Sequence, residues 1–297
     1  MEERVVKYGL GNQIIGFSDG IISVFGILGN VLTLITFWKE RRNSLFHIQL
    51  AIANIITLTS TFMSAPSALK GRWLFGDTLC QWYGFQVFVG GFLGVALTCI
   101  VCMETYLAIF NNNSNKGQPS SNTVSVFVSI IVWVNALILS LAPLLGWNAY
   151  KRDEPGTSCG ASLDNQPSNS LSYMLITHIY FISLATIGFV CLILTMLRKP
   201  GDSKVYEPLL TDTELVRVTF LLFTILAIGC LPYYLRVIYF LRGFPPFYDS
   251  FLGVEFSHIT IKLSSLLQAA AYMFVSENFR RVALSVITGV DPVKKNA

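Results

Sequence analysis

The sequence predicts an all-α membrane protein: a bundle of seven spanning helices followed by a short amphipathic eighth helix. Three observations point to this fold class. Of 297 residues, 53% are hydrophobic and only 13% charged, about half the charged fraction of an ordinary soluble domain. The mean hydropathy is +0.57. Seven apolar stretches are long enough to cross a hydrocarbon core, which takes about 20 helical residues.

The first stretch, 14–38, ends at the basic loop KERRNSLFH, and the second, 48–69, at KGRWLFGD. The third, 80–110, gives way to NNNSNKGQPSSN, and the fourth, 123–148, to YKRDEPGTSCGASLDNQPSNS. The fifth, 171–197, precedes RKPGDSKVYEPLLTDTE, and the sixth, 214–241, precedes RGFPPFYD. All six loops carry the Gly, Pro, Asn or charged residues that break a spanning helix. The seventh, 250–275, runs into SENFRRVALSVI. Its mixture of aromatic, basic and aliphatic residues predicts a short helix lying in the membrane interface. Residues 1–286 therefore read as one domain, with 287–297 a short tail.

An odd number of crossings puts the two ends on opposite sides. Twelve of the 21 Lys and Arg residues fall on the face carrying the C-terminus and eight on the other, with Lys262 between them. Basic loops favour the cytoplasm, so the C-terminus is expected there and the N-terminus in the extracellular space or a lumen. Cys99, Cys102, Cys191 and Cys230 lie within spans and read as small apolar packing residues. Cys80 and Cys159 both fall on the oxidising side, where a disulfide persists.

Several classes are excluded or disfavoured. The net charge of +4 sits in loops and forms no basic stripe, so nucleic acid is not an expected partner. The start MEERVVKYGLG lacks the layout of a cleaved signal peptide, and DPVKKNA is no prenylation box. No cysteine follows the seventh span to carry a palmitoyl anchor, and the triplet at Asn112 falls on the cytoplasmic side, where glycosylation does not occur. No metal site is expected; the lipid bilayer is the expected surrounding.

The most informative residue is Lys262, in SHITIKLSSLLQ. A charge at mid-span costs roughly 2.5–3.5 kcal/mol even on insertion scales. Burial disfavours the charged form of an amine and so favours a nucleophile. The plainer reading is a lysine that snorkels or pairs with a carboxylate on a neighbouring helix. Glu255, His258 and Lys262, spaced by three and four, share one helix face. His258 is thus expected one turn from the amine, where it would tune it, and Glu255 one turn further out in solvent.

The sequence is similar to the rhodopsin-like seven-helix receptors over residues 16–286. GILGNVLTL around Asn30 and LAIAN ending at Asn54 resemble the first- and second-helix signatures, with Asn54 where an aspartate is usual. Trp133, PLLGW, Glu104 in ETY, CLPYY and QAAAYMFVSENFR resemble the later ones in order. The resemblance implies a disulfide between Cys80 and Cys159. Within this family, opsins carry a seventh-helix lysine six residues before the NPxxY asparagine position. That position is Gln268 here, and six residues earlier stands Lys262. Lys262 therefore looks like the attachment site of a retinal cofactor, held as a Schiff base.

Such a linkage needs a counterion. Tyr83 stands where many signalling opsins place a glutamate, so the resemblance points to Asp153 in the second loop, with Glu154 and Glu255 as alternatives. The pocket carried over comprises Tyr83, Gly84, Val87, Phe88, Gly91 and Phe92 from the third span. Leu226, Cys230, Tyr233 and Tyr234 from the sixth, with His258 and Lys262 from the seventh, complete it. Cys230 replaces the tryptophan that usually packs on the retinal.

The signalling parts depart from the family. Thr105 replaces the arginine of E/DRY and supplies no guanidinium. QAAAY lacks the asparagine and proline of NPxxY, the fifth span has no proline, and Leu192 stands where its switch tyrosine belongs. The stretches around Cys80 and Cys159 look most like the retinochrome and retinal G-protein-coupled receptor group, with peropsin-like members sharing some features. That resemblance implies a photoisomerase turning all-trans-retinal, bound in the dark, into the 11-cis isomer. It would serve photoreceptor-associated cells, in the plasma or an internal membrane, alongside retinoid-handling proteins. The alternative is a light-activated G-protein-coupled receptor with diverged coupling motifs. A seven-span transporter using Lys262 for an anionic substrate is more distant, because no inverted repeat is visible.

Overall fold

In a bilayer core the backbone has no water to bond, so apolar stretches satisfy their N–H and C=O groups internally, as helices. The computed structural model describes residues 9–40, 45–111, 122–153, 156–163, 168–197, 209–242 and 251–289. Its helices are α1 (Gly9–Glu40), α2 (Leu45–Thr59), α3 (Thr61–Lys70), α4 (Gly76–Asn111) and α5 (Asn122–Leu141). They continue with α6 (Ser168–Met196), α7 (Asp212–Leu241), α8 (Phe251–Val275) and α9 (Glu277–Thr288). Six spans are long and apolar enough to cross a membrane, or seven if α8 and α9, bent by 109°, count as one. The protein is a multi-pass integral membrane protein.

The surface shows which solvent surrounds it. Leu10, Ile14, Phe17, Ile21, Phe25 and Leu28 recur at helical spacing along α1 and all lie exposed. Such a stripe is stable only against lipid. The interior is where the polar groups gather. Asn54 donates to Asn30 Oδ1 and Gln268 Oε1, both at 3.1 Å, and Asn30 donates to Ser265 O at 3.0 Å. Gln268 in turn donates to Thr98 and to Leu222 O. This chain of amides ties five helices together with no formal charge.

Two predicted spans take a different form. The second is broken at Ser60 into α2 and α3. Thr57, Thr59 and Ser60 turn their hydroxyls back onto the carbonyls of residues 53, 55, 56 and 57, a substitution for ladder bonds that bends helices. Pro66, further on, removes another donor. The second half ends at Gly71, whose φ of 65° closes the turn through Arg72 N–H to Ser67 O. The fourth span stops at Leu141, where Pro143 forces a short 3-10 turn over Ala142–Leu145.

A two-stranded hairpin, absent from the sequence expectation, caps one end of the bundle. Strand β1 (Tyr150–Arg152) pairs antiparallel with β2 (Cys159–Ala161). The Cys80–Cys159 disulfide fixes it to the first turns of α4. Gly84 is required there: a Cβ would stand 2.5 Å from the Tyr150 ring. At the other end α9 buries Phe279 and Ala283 and exposes Leu284 and Ile287, as the interfacial reading expects. Ser276 caps its first turn, and Gly289 closes its last.

The disulfide closes a loop of 79 residues, and loss of such a link typically costs about 2–5 kcal/mol. Cys159→Ser is expected to lower the thermal unfolding midpoint of the purified protein. Dithiothreitol should shift the wild type toward the same value and leave the variant unmoved.

Candidate functional site

Lys262 lies in the middle of α8 and is 3% exposed. Its ammonium points to α1 and α3: Nζ is 2.8 Å from Asp19 Oδ2 and 2.7 Å from Ser64 Oγ. The carboxylate is held in turn. Ser64 donates to Asp19 Oδ2 at 2.5 Å and Thr61 to Oδ1 at 3.2 Å, while Ser23 lies 2.5 Å from Thr61 Oγ1. Thr61 and Ser64 stand in the first turn of α3, directly after the break at Ser60. The plainer reading of Lys262, a lysine paired to a carboxylate, thus describes the geometry, and Asp19 was missed as its partner. The signal existed: Asp19 is itself a charge inside a predicted span.

Asp153, expected opposite Lys262, lies elsewhere. Its Oδ1 accepts from Arg236 Nη2 of α7 at 2.8 Å, its Oδ2 from Ser158 at 3.1 Å, and His258 Nε2 stands 3.8 Å away. This corrects the sequence assignment: a guanidinium buried to 4% needs an acid more than an already paired amine does. Burial alone would raise the Asp153 carboxyl, but Arg236, aided by His258, outweighs it and holds the group below the usual carboxylate value. Glu154 lies outside the described residues. Glu255 is a second correction: expected in solvent, it is 6% exposed and accepts from Thr157. His258 shares the Lys262 face as expected, but its ring nitrogen turns to Asp153.

A cavity lies between α2, α4, α6, α7 and α8, with about 790 Å³ of space when the open solvent at its mouth is included. Of the expected pocket, Val87, Phe88, Gly91, Phe92, Leu226, Cys230, Tyr233 and Tyr234 line it. Tyr83, Gly84, His258 and Lys262 do not, although Ile261, Ser264 and Ser265 on either side of Lys262 do. Gly84 instead admits Tyr150, and Tyr83 is fully buried beside Ser64 and Asp19. Sequence reasoning missed Thr177, His178 and Phe181 of α6, which form the wall opposite α8. Phe181 stacks on Phe92 with centroids 4.9 Å apart, and His178 packs against Tyr233 and Tyr234. His178 Nδ1 bonds Met174 O, so it carries the proton, while Nε2 is buried without a partner among the described residues. The lining is apolar and aromatic with few polar groups, which suits a long conjugated or hydrocarbon ligand.

The opposite end of the bundle is tied shut by neutral bonds. Thr105 of α4, 1% exposed, pairs with Thr219 of α7 at 2.9 Å. Tyr272 of α8 bonds His47 of α2 at 2.7 Å and stacks on Phe279. Leu192 is buried.

Residues 29–273 match the model of the family described as 7 transmembrane receptor (rhodopsin family). The chain is 31% identical over 178 residues to the visual pigment-like receptor peropsin of Mus musculus, covering 58% of this chain and 52% of that one. It is 25% identical over 293 residues to a G0-coupled rhodopsin of Mizuhopecten yessoensis, 93% of this chain and 72% of that one. With melanopsin of Mus musculus it shares 29% over 189 residues, 61% and 35% of the two chains. The match thus spans about half of peropsin and about a third of that melanopsin. Squid rhodopsin shares the fold with a TM-score of 0.82 at 17% identity, over 95% of this chain and 86% of that structure.

Removing one member of a buried ion pair typically costs about 3–5 kcal/mol. Asp153→Leu is therefore expected to lower the unfolding midpoint more than Asp153→Leu with Arg236→Leu does. Because the folded carboxyl is held below its ordinary 3.8, its contribution is complete above that value and fades as pH falls through the lowered one. Wild-type stability should drop across this acid window, with a shallower drop in Asp153→Asn.

Proposed function

The chain belongs to the rhodopsin family of seven-transmembrane receptors, and from that premise we propose that it is a retinal-binding opsin. In this reading it works as a photoisomerase on all-trans-retinal, in place of strong G-protein coupling. The observation that carries the proposal is Lys262, an amine buried at mid-span, flanked by cavity-lining residues and placed as the opsin attachment lysine is. The cavity fits the ligand: glycines at 91 and 94 leave room along α4, aromatic faces line the far wall, and Ile261, Ser264 and Ser265 beside Lys262 form the near wall.

Retinal supplies an aldehyde that joins the amine with loss of water, and a polyene whose double bonds rotate after absorbing light. This chain's residues do the rest. Lys262 anchors one end and holds a positive charge at Nζ. Phe92, Phe181 and Tyr234 confine the polyene, so the shape of the wall selects which bond turns. Cys230 leaves space where the family's tryptophan normally couples ligand motion to α7. The Thr105–Thr219 and Tyr272–His47 bonds favour a bundle that stays closed on the side where a G protein would bind. With the loops oriented by their basic residues, that side is cytoplasmic and the disulfide-linked hairpin faces the lumen or exterior. The similarity to G0-coupled rhodopsin keeps the light-activated receptor as the second reading.

The test is direct. The protein is loaded with all-trans-retinal in the dark, illuminated, and its retinoids are extracted. Accumulation of 11-cis-retinal over many equivalents is expected, along with loss of the visible band in Lys262→Ala. A visible band with light-dependent nucleotide exchange and no turnover would establish the receptor reading in its place. Borohydride reduction that leaves the Lys262 peptide unlabelled would remove both.

A further inference from the structure

We propose that Asp19, on the first spanning helix, is the counterion of the Lys262 nitrogen, both in the free protein and after loading. The inference rests on Lys262 as the attachment site, but it assigns the balancing charge to a helix outside the cavity wall.

The geometry is that of a built anion site. The Asp19 and Lys262 side chains are 6% and 4% exposed, so neither charge is shared with water. The carboxylate accepts from three donors: Lys262 and Ser64 on Oδ2, Thr61 on Oδ1. The Ser64 hydroxyl both accepts from Lys262 and donates to Asp19, which fixes the direction of the chain. A nitrogen joined to an aldehyde would carry one N–H in place of three. That single donor meets one acceptor, and a carboxylate at 2.8 Å is preferred to a neutral hydroxyl.

The other titratable groups facing this point are accounted for. Asp153 is taken by Arg236 and approached by His258. Glu255, two turns away on α8, accepts from Thr157. Tyr83 of α4 is a phenol, not a carboxylate, buried beside Ser64 and Asp19. None of them contacts Lys262 Nζ, so Asp19 alone among the described acids does.

Two readouts test the proposal. Without retinal, Asp19→Asn, Lys262→Met and the double variant form a thermal-stability cycle. Asp19→Asn is expected to lower the unfolding midpoint in the wild-type background and to change it little once Lys262 is gone. Equal effects in both backgrounds would overturn the pair. With retinal, the visible band is titrated. In Asp19→Asn its midpoint should fall by about 2 or more pH units, leaving near-ultraviolet absorption at neutral pH, and sodium formate should restore the visible band. Should Asp19→Asn not accumulate, Asp19→Glu moves the charge by one methylene and should displace the absorption maximum. An unmoved maximum overturns the assignment, as does a visible band lost in Glu255→Gln or Asp153→Asn and kept in Asp19→Asn. Borohydride labelling of Lys262 in each sample separates the two claims. Wild type without label refutes the attachment site, whereas labelled Asp19→Asn with wild-type titration refutes the counterion.

Discussion

A charge inside a bilayer persists only when another charge meets it, and that requirement organises this protein. Lys262, Asp19, Arg236 and Asp153 are each at most 6% exposed at the side chain, and they sort into two pairs. Each pair joins elements distant in sequence: α1 to α8, and the hairpin loop to α7. The cost of desolvating four charges is offset only if each remaining lone pair and proton is used. The serine and threonine hydroxyls of α3, with Ser158 at the hairpin, serve that need.

Away from the two pairs the bundle is held by neutral amides and hydroxyls. Asn54 and Gln268 stand where the family carries an aspartate and an asparagine, and they bond each other directly. A pair of amides can do so with no charge to balance. Thr105 with Thr219 is the same solution at the end of the bundle away from the hairpin. Such contacts are individually modest, about 1 kcal/mol, yet none of them changes strength with pH.

Much of the fold was legible, because hydrocarbon thickness dictates span length and loop chemistry dictates where spans end. Lys262 was legible for the same reason that Asp19 should have been: both are ionisable residues within apolar stretches. The basic residue attracted notice through its motif spacing, whereas Asp19 sits in SDG, near a glycine-rich end that reads as a helix margin. Arg236 was counted with the loop cations, and this concealed the acid it would claim. His178 and Phe181 were not legible, since no local pattern says which face of a uniformly apolar helix meets a cavity. The hairpin was missed because three-residue strands carry too short an alternation to register.

The interruption at Ser60 has a consequence for comparing this chain with its relatives. A continuous helix turns by a constant angle per residue, so a face read at Asn54 projects onward to a definite face ten residues later. An interruption removes that constraint, so counting from Asn54 does not fix the face presented beyond Ser60. Ser64, four residues past it, donates to Asp19 of α1. Two aligned sequences can therefore agree letter for letter up to the kink and still present different atoms to the same neighbour after it.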